Sequence, residues 1–340
     1  VTVNCCCFGC SCMGILENRK EPDMETVLAI NGRINVVIGI PVSRTLVMGV
    51  LNVTEDSFSD GGIWLRTEDA VRHAHDMAEQ GADIIDIGAE STRPGARRVP
   101  EDVEGQRVLG VLAALAGSDS GRHMVPVSVD TTRSKVADSA LKHGAAIIND
   151  VSGGQLDPEL PHVAAAYGCP YIVQHWRGWL DPGAAGGSEI YEDGVVNDVY
   201  AELMHQVDAV RAAGVSDERI IIDPGLGFSK PEISHNLPLI SSLARFQAAG
   251  YPVLIGHSRK RFIASIASGP YPAHRGQGST VKGNPAPQQD DVGLDDKDAV
   301  TAGLSALIAE RGAWAVRVHD VRRNVCAVAA GDILRHYMGK

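Results

Sequence analysis

Several polar side chains that could bind a substrate stand directly after short apolar runs in this sequence. The first run, Leu46 to Leu51, has the length and composition of a buried strand, and a polar, glycine-terminated segment follows it at residues 52–62. A buried strand that ends in such a loop is a common way to place chemistry at the edge of a rigid core. The same pattern recurs along the chain and collects these residues: Asn52, Asp60, Thr92, Arg93, Asp130, Asn149, Asp150, His175, Asp223, Ser258, Lys260, Arg317 and His319.

One part of this set supplies hydrogen-bond acceptors and an amide. Asp130, Asn149 and Asp223 suit a flat heterocycle with several N–H donors, because buried polar edges need paired partners. Each of these residues alone has an ordinary alternative role as a turn former or a helix cap. The recurrence of the pattern favours a binding site over that alternative.

A second part of the set supplies positive charge in a chain that is acidic overall. Arg93, Lys260, Arg317 and His319, with Arg259 as a further candidate, suit phosphate oxygens or a carboxylate. Asn52 is a neutral oxygen ligand that could help to hold a hydrated Mg²⁺ ion between phosphates. No nucleophile–base pair stands out, and neither a GxSxG nor an HExxH motif occurs. The pattern therefore favours binding and electrostatic stabilisation over covalent catalysis.

Eight repeated units would position these side chains. Apolar strand-like runs begin near residues 46, 83, 125, 145, 170, 219, 252 and 315, and each is followed by a helical pattern. Alternating strands and helices predict a parallel sheet, and eight units predict an α/β fold of the (β/α)8 TIM barrel type. The alternative is an open doubly wound sheet, which should carry a glycine-rich dinucleotide fingerprint after its first strand. The segment after Leu51 is not of that kind.

The chain outside these units is less informative. Residues 1–26 hold five of the seven cysteines, between Cys5 and Cys12, and we expect a disordered extension there. A zinc site is disfavoured because its ligands usually come as spaced pairs. Residues 27–340 then form one barrel domain, with a short N-terminal β-hairpin around the turn dipeptide Asn31-Gly32 and a surface insertion at about residues 269–297.

Composition restricts the partners. The 340 residues are 44% hydrophobic and carry a formal net charge of -11, which makes a nucleic-acid partner unfavourable. The longest apolar stretch is too short to span a membrane, and no basic segment precedes an apolar run as in a signal peptide. We therefore expect a cytoplasmic protein that binds small molecules.

Seven ordered motifs add a family resemblance. They are MGVLNVTEDSFSDGG, ESTRPGA, SVDTTRS, NDVSGG, DPGLGFSK, GHSRKRF and RVHDV. Together they resemble the dihydropteroate synthase family over roughly residues 45–338, apart from the insertions. The resemblance implies a transferase that joins 6-hydroxymethyl-7,8-dihydropterin diphosphate to 4-aminobenzoate in folate biosynthesis, with Mg²⁺ as cofactor and diphosphate as the second product. It also implies a homodimer and competitive inhibition by sulfonamides.

The resemblance also implies a role for each matching residue. The pterin would be held by Asp130, Asn149, Asp223, Phe228, Gly256 and Lys260. The diphosphate and its metal would be held by Asn52, Arg317 and His319. The aminobenzoate would lie near Phe58, Thr92, Arg93, Pro94 and Ser258. The catalytic groups would be Lys260, Arg317, His319 and Asp130.

The sequence departs from the family pattern at two pocket positions. Gln174 stands where the family pattern has methionine, and His257 stands where it has a small residue. Two alternatives share part of the pattern. A pterin-dependent methyltransferase would need the Asp and Asn residues but not Lys260 or the Arg317-x-His319 pair. A catalytically silent pterin-binding paralogue should have lost some of these residues, and none is lost.

Overall fold

The computed structural model of the chain describes residues 22–54, 67–91, 98–117, 125–178, 189–269 and 292–338. Eight short strands within these ranges form one sheet: β1 (Leu46–Asn52), β2 (Ile84–Gly88), β3 (Val127–Asp130), β4 (Ile147–Asp150), β5 (Tyr171–Gln174), β6 (Ile220–Asp223), β7 (Leu254–Ile255) and β8 (Ala315–Val318). The strands pair in parallel in the order β6-β5-β4-β3-β2-β1-β8-β7. A parallel bridge between Ile222 and Val253 joins the two ends of this sheet. The predicted (β/α)8 barrel is confirmed.

Helices surround the barrel and connect its strands. They are α1 (Met24–Val37), α2 (Thr67–Glu79), α3 (Glu101–Gly117), α4 (Ser134–Lys142), α5 (Glu159–Tyr167), α6 (Val195–Ala212), α7 (Ile233–Ser241), α8 (Leu243–Gln247), α9 (Arg261–Ala267), α10 (Leu294–Glu310) and α11 (Val321–Met338). In α2, for example, Ala70, Ala74 and Met77 are buried at helical spacing, so one face packs on the sheet. The loop residue Gly81 follows with a φ of 100°, which a side chain would disfavour.

Side chains alternate along the strands between the barrel interior and the helix layer. The inner apolar cluster fills the N-terminal half of the barrel and includes Leu46, Met48, Ile84, Ile147, Ile172, Ile221, Leu254 and Ala315. Their neighbours along the strands, such as Val47, Ile85 and Ile148, belong to the outer cluster against the helices. Further along the strands, the inward positions change from apolar residues to polar residues or glycine. This change of side chain creates the site.

The predicted N-terminal β-hairpin is wrong, because residues Met24–Val37 form helix α1. The side chain of Asp23 caps this helix by accepting a hydrogen bond from the backbone N–H of Thr26 at 2.8 Å. Val27, Ile30 and Ile34 are buried at helical spacing. The Asn-Gly dipeptide that suggested a turn lies inside the helix, so apolar periodicity and the cap outweigh local turn propensity.

Helix α1 covers the N-terminal end of the barrel. Ile34 is part of the inner cluster, and Asn35 accepts a hydrogen bond from the indole N–H of the buried Trp314 at 2.7 Å. Because α1 begins at Met24, the predicted domain boundary at residue 26 falls inside the helix. Residues 1–21 and 270–291, the greater part of the predicted extension and insertion, lie outside the described residues. No helix in the described ranges is long and apolar enough to span a membrane.

Candidate active site

The inward positions at the carboxyl ends of the strands carry a single layer of polar residues and glycines. Parallel strands in a barrel all deliver these positions to the same face. In strand order, the layer consists of Asn52, Asp86 and Gly88, Asp130, Asn149, Gln174, Asp223, Gly256 with Ser258, and Arg317 with His319. The structure therefore brings together most of the residues predicted from the sequence.

Arg317 lies between two carboxylates at one side of this layer. Its Nε donates to Asp86 Oδ2 at 2.6 Å, and its Nη2 donates to Asp130 Oδ2 at 2.8 Å. The side chain of Asp86 is fully buried, that of Asp130 is 12% exposed, and that of Arg317 is 21% exposed. The ion pairs fix the guanidinium plane at the mouth of the barrel, and one cation is shared by two carboxylates.

This shared cation leaves excess negative charge beside Asp130. Burial raises the pKa of the Asp130 carboxyl to about 7, with Arg317 opposing the rise and Asp86 adding to it. Asp86 also accepts a hydrogen bond from Asn149 Nδ2 at 3.1 Å. The sequence alone does not single out Asp86, although this residue links Asn149 to Arg317. The sequence feature that could have identified Asp86 is a single carboxylate within the apolar run of β2.

A second group lies across the layer, on β6 and the loop after β7. Asp223 Oδ1 accepts a hydrogen bond from the backbone N–H of Gly225 at 2.7 Å. The Lys260 ammonium donates to the carbonyl of Leu226 and stands 4.6 Å from the centre of the Phe228 ring. Burial lowers the pKa of Lys260 to about 8, while the carboxylate of Asp223 opposes this shift. A cation therefore lies over an aromatic face and interacts with a buried carboxylate.

Glycines leave the space between these groups open. A Cβ atom at Gly256 would lie 3.5 Å from Asp223 Oδ2 and 3.9 Å from Lys260 Nζ. A Cβ atom at Gly227, whose φ is 78°, would approach Lys260 Cδ to 2.8 Å. A side chain at Gly256 would occupy the space between Asp223 and Lys260, and a side chain at Gly227 would displace Lys260. These effects explain the glycine at both positions.

His319 completes the layer beside β7. Its backbone N–H donates to Ser258 Oγ at 3.2 Å, and its Nδ1 lies 3.0 Å from the same oxygen. Ser258 is 6% exposed, so this hydroxyl is held in a nearly buried position. The imidazole is thereby oriented by Ser258, at the same strand end that carries Arg317.

Asn52, the predicted metal ligand, lies beside an open space at the ends of two strands. Asn52 pairs in register with Gly88 at the ends of β1 and β2. A Cβ atom at Gly88 would lie 3.5 Å from Asn52 Oδ1 and 3.8 Å from Asp130 Oδ2, so the glycine leaves a cradle between two oxygens. Such a cradle fits a Mg²⁺ ion that takes its other ligands from phosphates and water. No group of three or more His, Cys, Asp or Glu residues suited to a metal occurs within the described ranges.

Asp150 and His175, which the sequence placed with the site, point to the opposite side of the sheet. Asp150 accepts hydrogen bonds from Ser152 and from the Tyr171 hydroxyl, the latter at 2.5 Å. His175 lies against the helix layer, where its Nε2 is 3.0 Å from Glu202 Oε2. Both residues shape loops and do not line the barrel mouth.

The loop that carries Phe228 is built around a fully buried lysine. Lys230 Nζ donates to the carbonyl oxygens of Gly225 at 3.0 Å and Phe228 at 2.8 Å, and it lies 2.9 Å from His175 Nδ1. Burial lowers the pKa of Lys230 well below its ordinary value. This supporting role is not visible in the sequence, because Lys230, the last residue of the DPGLGFSK motif, resembles any surface lysine.

Five predicted site residues lie outside the described residues: Asp60 and the four aminobenzoate contacts Phe58, Thr92, Arg93 and Pro94. Most of the chain is similar to known proteins. Residues 48–319 match the family described as Pterin binding enzyme. The dihydropteroate synthase of Mycobacterium leprae is 43% identical over 282 residues, which are 83% of this chain and 90% of that protein. The chain belongs to the dihydropteroate synthase family.

Solved structures of this family share the fold. Xanthomonas albilineans dihydropteroate synthase with 4-aminobenzoic acid has a TM-score of 0.70 at 35% identity, covering 86% of this chain and 93% of that chain. The Yersinia pestis dihydropteroate synthase with a sulfonamide drug has a TM-score of 0.73 at 33% identity, covering 86% and 95% of the two chains. The architecture and the motifs therefore agree with the family.

The two departures from the family pattern fall on different sides of the barrel wall. Gln174 faces inward and is 7% exposed, between Asn149 and Asp223 on the neighbouring strands. Its Nε2 donates to the Val151 carbonyl at 3.4 Å. His257 is fully buried and faces outward, towards α10. Only Gln174 therefore alters the lining of the dihydropteroate synthase pocket.

Proposed function

We propose that this dihydropteroate synthase family member condenses 6-hydroxymethyl-7,8-dihydropterin diphosphate with 4-aminobenzoate, which yields 7,8-dihydropteroate and diphosphate. The observation that carries the proposal is the inward polar layer, in which carboxylates and an amide stand beside Lys260 and Arg317. A pterin diphosphate has a donor-rich ring joined to an anionic tail, and this layer offers complementary groups to both. The reaction is a transferase step of folate biosynthesis.

The ring half of the substrate fits the buried acceptors. Asp130 and Asp223 would accept from the N–H groups of the pterin, and Asn149 would exchange hydrogen bonds with its edge. Asp223 is 2% exposed, so a pterin N–H group without a hydrogen-bond partner there would lower the binding affinity. The Phe228 ring and the Lys260 ammonium would provide an apolar and a cationic contact to the bound pterin ring.

The anionic half fits the groups at the ends of β7 and β8. Arg317 and His319 would bind diphosphate oxygens, and Asn52 would be the protein ligand of a bound Mg²⁺ ion. Mg²⁺ would supply charge neutralisation to the leaving diphosphate. The chemistry breaks the C–O bond of the pterin methylene and forms a C–N bond to the amine, which then loses a proton. Arg317, His319 and Lys260 stabilise the negative charge that collects on the leaving group.

Sulfonamide inhibition follows from the same assignment, because a sulfonamide resembles 4-aminobenzoate in size and in its aromatic amine. The solved Yersinia pestis relative with a sulfonamide drug supports this part of the proposal. We further propose that the enzyme acts in the cytoplasm, because both substrates are charged and water-soluble.

A homodimer is proposed from an apolar surface on the last helix. Ile333, Leu334 and Tyr337 of α11 are 60%, 51% and 70% exposed, and they share one side of the helix. Leu307 of the adjoining helix α10 is 51% exposed. A second copy would cover this patch by a self-complementary contact. Sedimentation of the wild type and of Tyr337→Asp tests it, and a monomeric wild type contradicts it.

The function is tested with purified protein, pterin diphosphate, 4-aminobenzoate and Mg²⁺. We expect mass spectrometry to detect 7,8-dihydropteroate, together with one diphosphate released per product. Omission of either substrate should abolish the product, and Arg317→Met should reduce its rate strongly. Absence of dihydropteroate with folded wild-type protein would contradict the proposal and favour a silent pterin-binding paralogue.

A further inference from the structure

The loop that joins β7 to α9 directs successive side chains to opposite sides of the barrel wall. Ser258 contacts His319, and Lys260 reaches Leu226 and Phe228, so both belong to the site. The side chains of the residue before Ser258 and of the residue between Ser258 and Lys260 face the opposite side of the barrel wall. His257 and Arg259 contact α10 in the outer layer, so Arg259, a candidate cation of the site from the sequence, pairs with Asp298 instead. The loop is therefore attached to α10 by the residues that do not face the site.

His257 is the first attachment. Its Nε2 lies 3.1 Å from the Thr301 carbonyl and 3.1 Å from Ser305 Oγ. A carbonyl oxygen only accepts, so Nε2 carries the proton and donates it. Burial lowers the pKa of His257 to about 4, which keeps the ring neutral at pH 7. Ser305 in turn donates to Asn324 of α11 at 2.6 Å, which extends the attachment to a second helix.

Arg259 is the second attachment. Its Nε and Nη2 donate to the two oxygens of Asp298 at 2.8 Å each, in a bidentate ion pair. The side chain of Asp298 is 8% exposed. The φ of Arg259 is 58°, a left-handed conformation that residues other than glycine seldom adopt. The ion pair thus holds the loop in a backbone geometry that arginine does not favour by itself.

The partners on α10 form a polar stripe on its buried face. Asp298, Thr301 and Ser305 are spaced by three and four residues, and all three are buried. A helix that packs on a barrel normally presents apolar residues at such positions. Asp298 and Ser305 contact the loop through their side chains, and Thr301 contacts it through its backbone carbonyl. These contacts indicate a specific fastening of that loop.

We propose that His257 and Arg259 are positioning residues, which fasten the loop to α10 and thereby fix Lys260 and the Ser258–His319 pair in the site. This proposal rests on the proposed function of the site. Loss of a fastening shifts the loop, and a displacement of about 1 Å in a reacting constellation can cost roughly a hundredfold in rate.

The ion pair is tested with Arg259→Gln and Asp298→Asn, alone and together. Asp295→Asn is the matched control, because Asp295 also lies on α10 and accepts from Arg323 at 2.6 Å, but on the exposed surface. We expect kcat/KM for pterin diphosphate to fall by about 10- to 100-fold in each single variant. The double variant should be no worse than the singles, because both remove the same fastening. The control should retain wild-type kinetics.

The histidine fastening is tested with His257→Ala and His257→Gln. The glutamine amide returns an N–H donor near the position of Nε2, so this variant should recover most of the activity that alanine loses. NMR provides a second measurement. The imidazole ¹⁵N resonances of His319 in Asp298→Asn should move towards those of Ser258→Ala, whereas Asp295→Asn should leave them in place.

Unchanged kinetics and unchanged His319 resonances in folded Asp298→Asn and His257→Ala would overturn the positioning role. A loss of activity that only mirrors a loss of folded protein, with no change in the His319 resonances, would overturn it as well. An inactive wild type would instead count against the proposed function, while the NMR comparison would still report on the fastening.

Discussion

Replacement of Asp86 by asparagine tests the electrostatics of the site in one step. Asp86 is fully buried and holds Arg317 through a 2.6 Å hydrogen bond to Nε. A hydrogen bond to a charged group contributes about 1.5–3 kcal/mol, and asparagine keeps a neutral acceptor at the same place. Arg317 also keeps its bond to Asp130. We therefore expect Asp86→Asn to lower the free energy of unfolding by about 2 kcal/mol, measured by urea denaturation.

The same change should shift the pH dependence of pterin binding. Burial, and then the charge of Asp86 among other carboxylates, raises the pKa of Asp130 to about 7, and only the ionised form is a pure acceptor. In the wild type, pterin affinity should therefore increase as the pH rises through about 7. Loss of the Asp86 charge lowers the Asp130 pKa, so the increase should occur at lower pH in Asp86→Asn. Isothermal titration between pH 5 and pH 9 measures both curves.

The matched control for Asp86→Asn is Asp83→Asn, three residues earlier on the chain. Asp83 pairs with Arg44 at 2.6 Å at the other end of the barrel. It should destabilise the fold without a change in the pH curve. A wild-type curve in Asp86→Asn, or an equal shift in Asp83→Asn, would refute the electrostatic reasoning.

Three further outcomes are expected. Asp223→Ala should weaken pterin binding about 5- to 150-fold, because a ring donor loses its partner in a buried site, and titration with pterin diphosphate would expose an error as unchanged affinity. The raised pKa of Asp130 means that the folded state binds the proton of this carboxyl more tightly than the unfolded state does. The stabilising contribution of the protonated carboxyl is complete below about pH 4 and is lost as the pH rises to about 7. The unfolding free energy of wild type relative to Asp130→Asn should accordingly decrease between pH 5 and pH 8, and a constant difference in urea denaturation would count against it. Gly227→Ala should displace Lys260 and reduce kcat/KM, whereas Gly32→Ala, with no atom within 4 Å of the new Cβ, should not; equal kinetics in the two variants would argue against the close contact.

The strands were predictable because their apolar runs are short and end in polar or glycine residues. Helix α1 was not, because the Asn31-Gly32 dipeptide resembles a turn when it is considered apart from the apolar spacing of Val27, Ile30 and Ile34. Local propensity is a weak guide where a buried face is present. The cap at Asp23 was the available signal for a helix.

The site was predictable as a set of residue types but not in its side-chain directions. His175 was assigned to the barrel mouth, yet it faces the helices, because a shift of one residue along a strand reverses the face. Asp86 was overlooked because its partner Arg317 is 231 positions away in the chain and becomes adjacent only when the barrel forms. Pairing across a closed sheet cannot be derived from spacing alone.

The most direct test of the central claim is a crystal structure of the protein with bound 6-hydroxymethyl-7,8-dihydropterin diphosphate. We expect the pterin ring between Asp130, Asn149 and Asp223, with its diphosphate directed towards Arg317 and His319. Density for the ring anywhere outside the inward layer at the carboxyl ends of the strands would contradict the account.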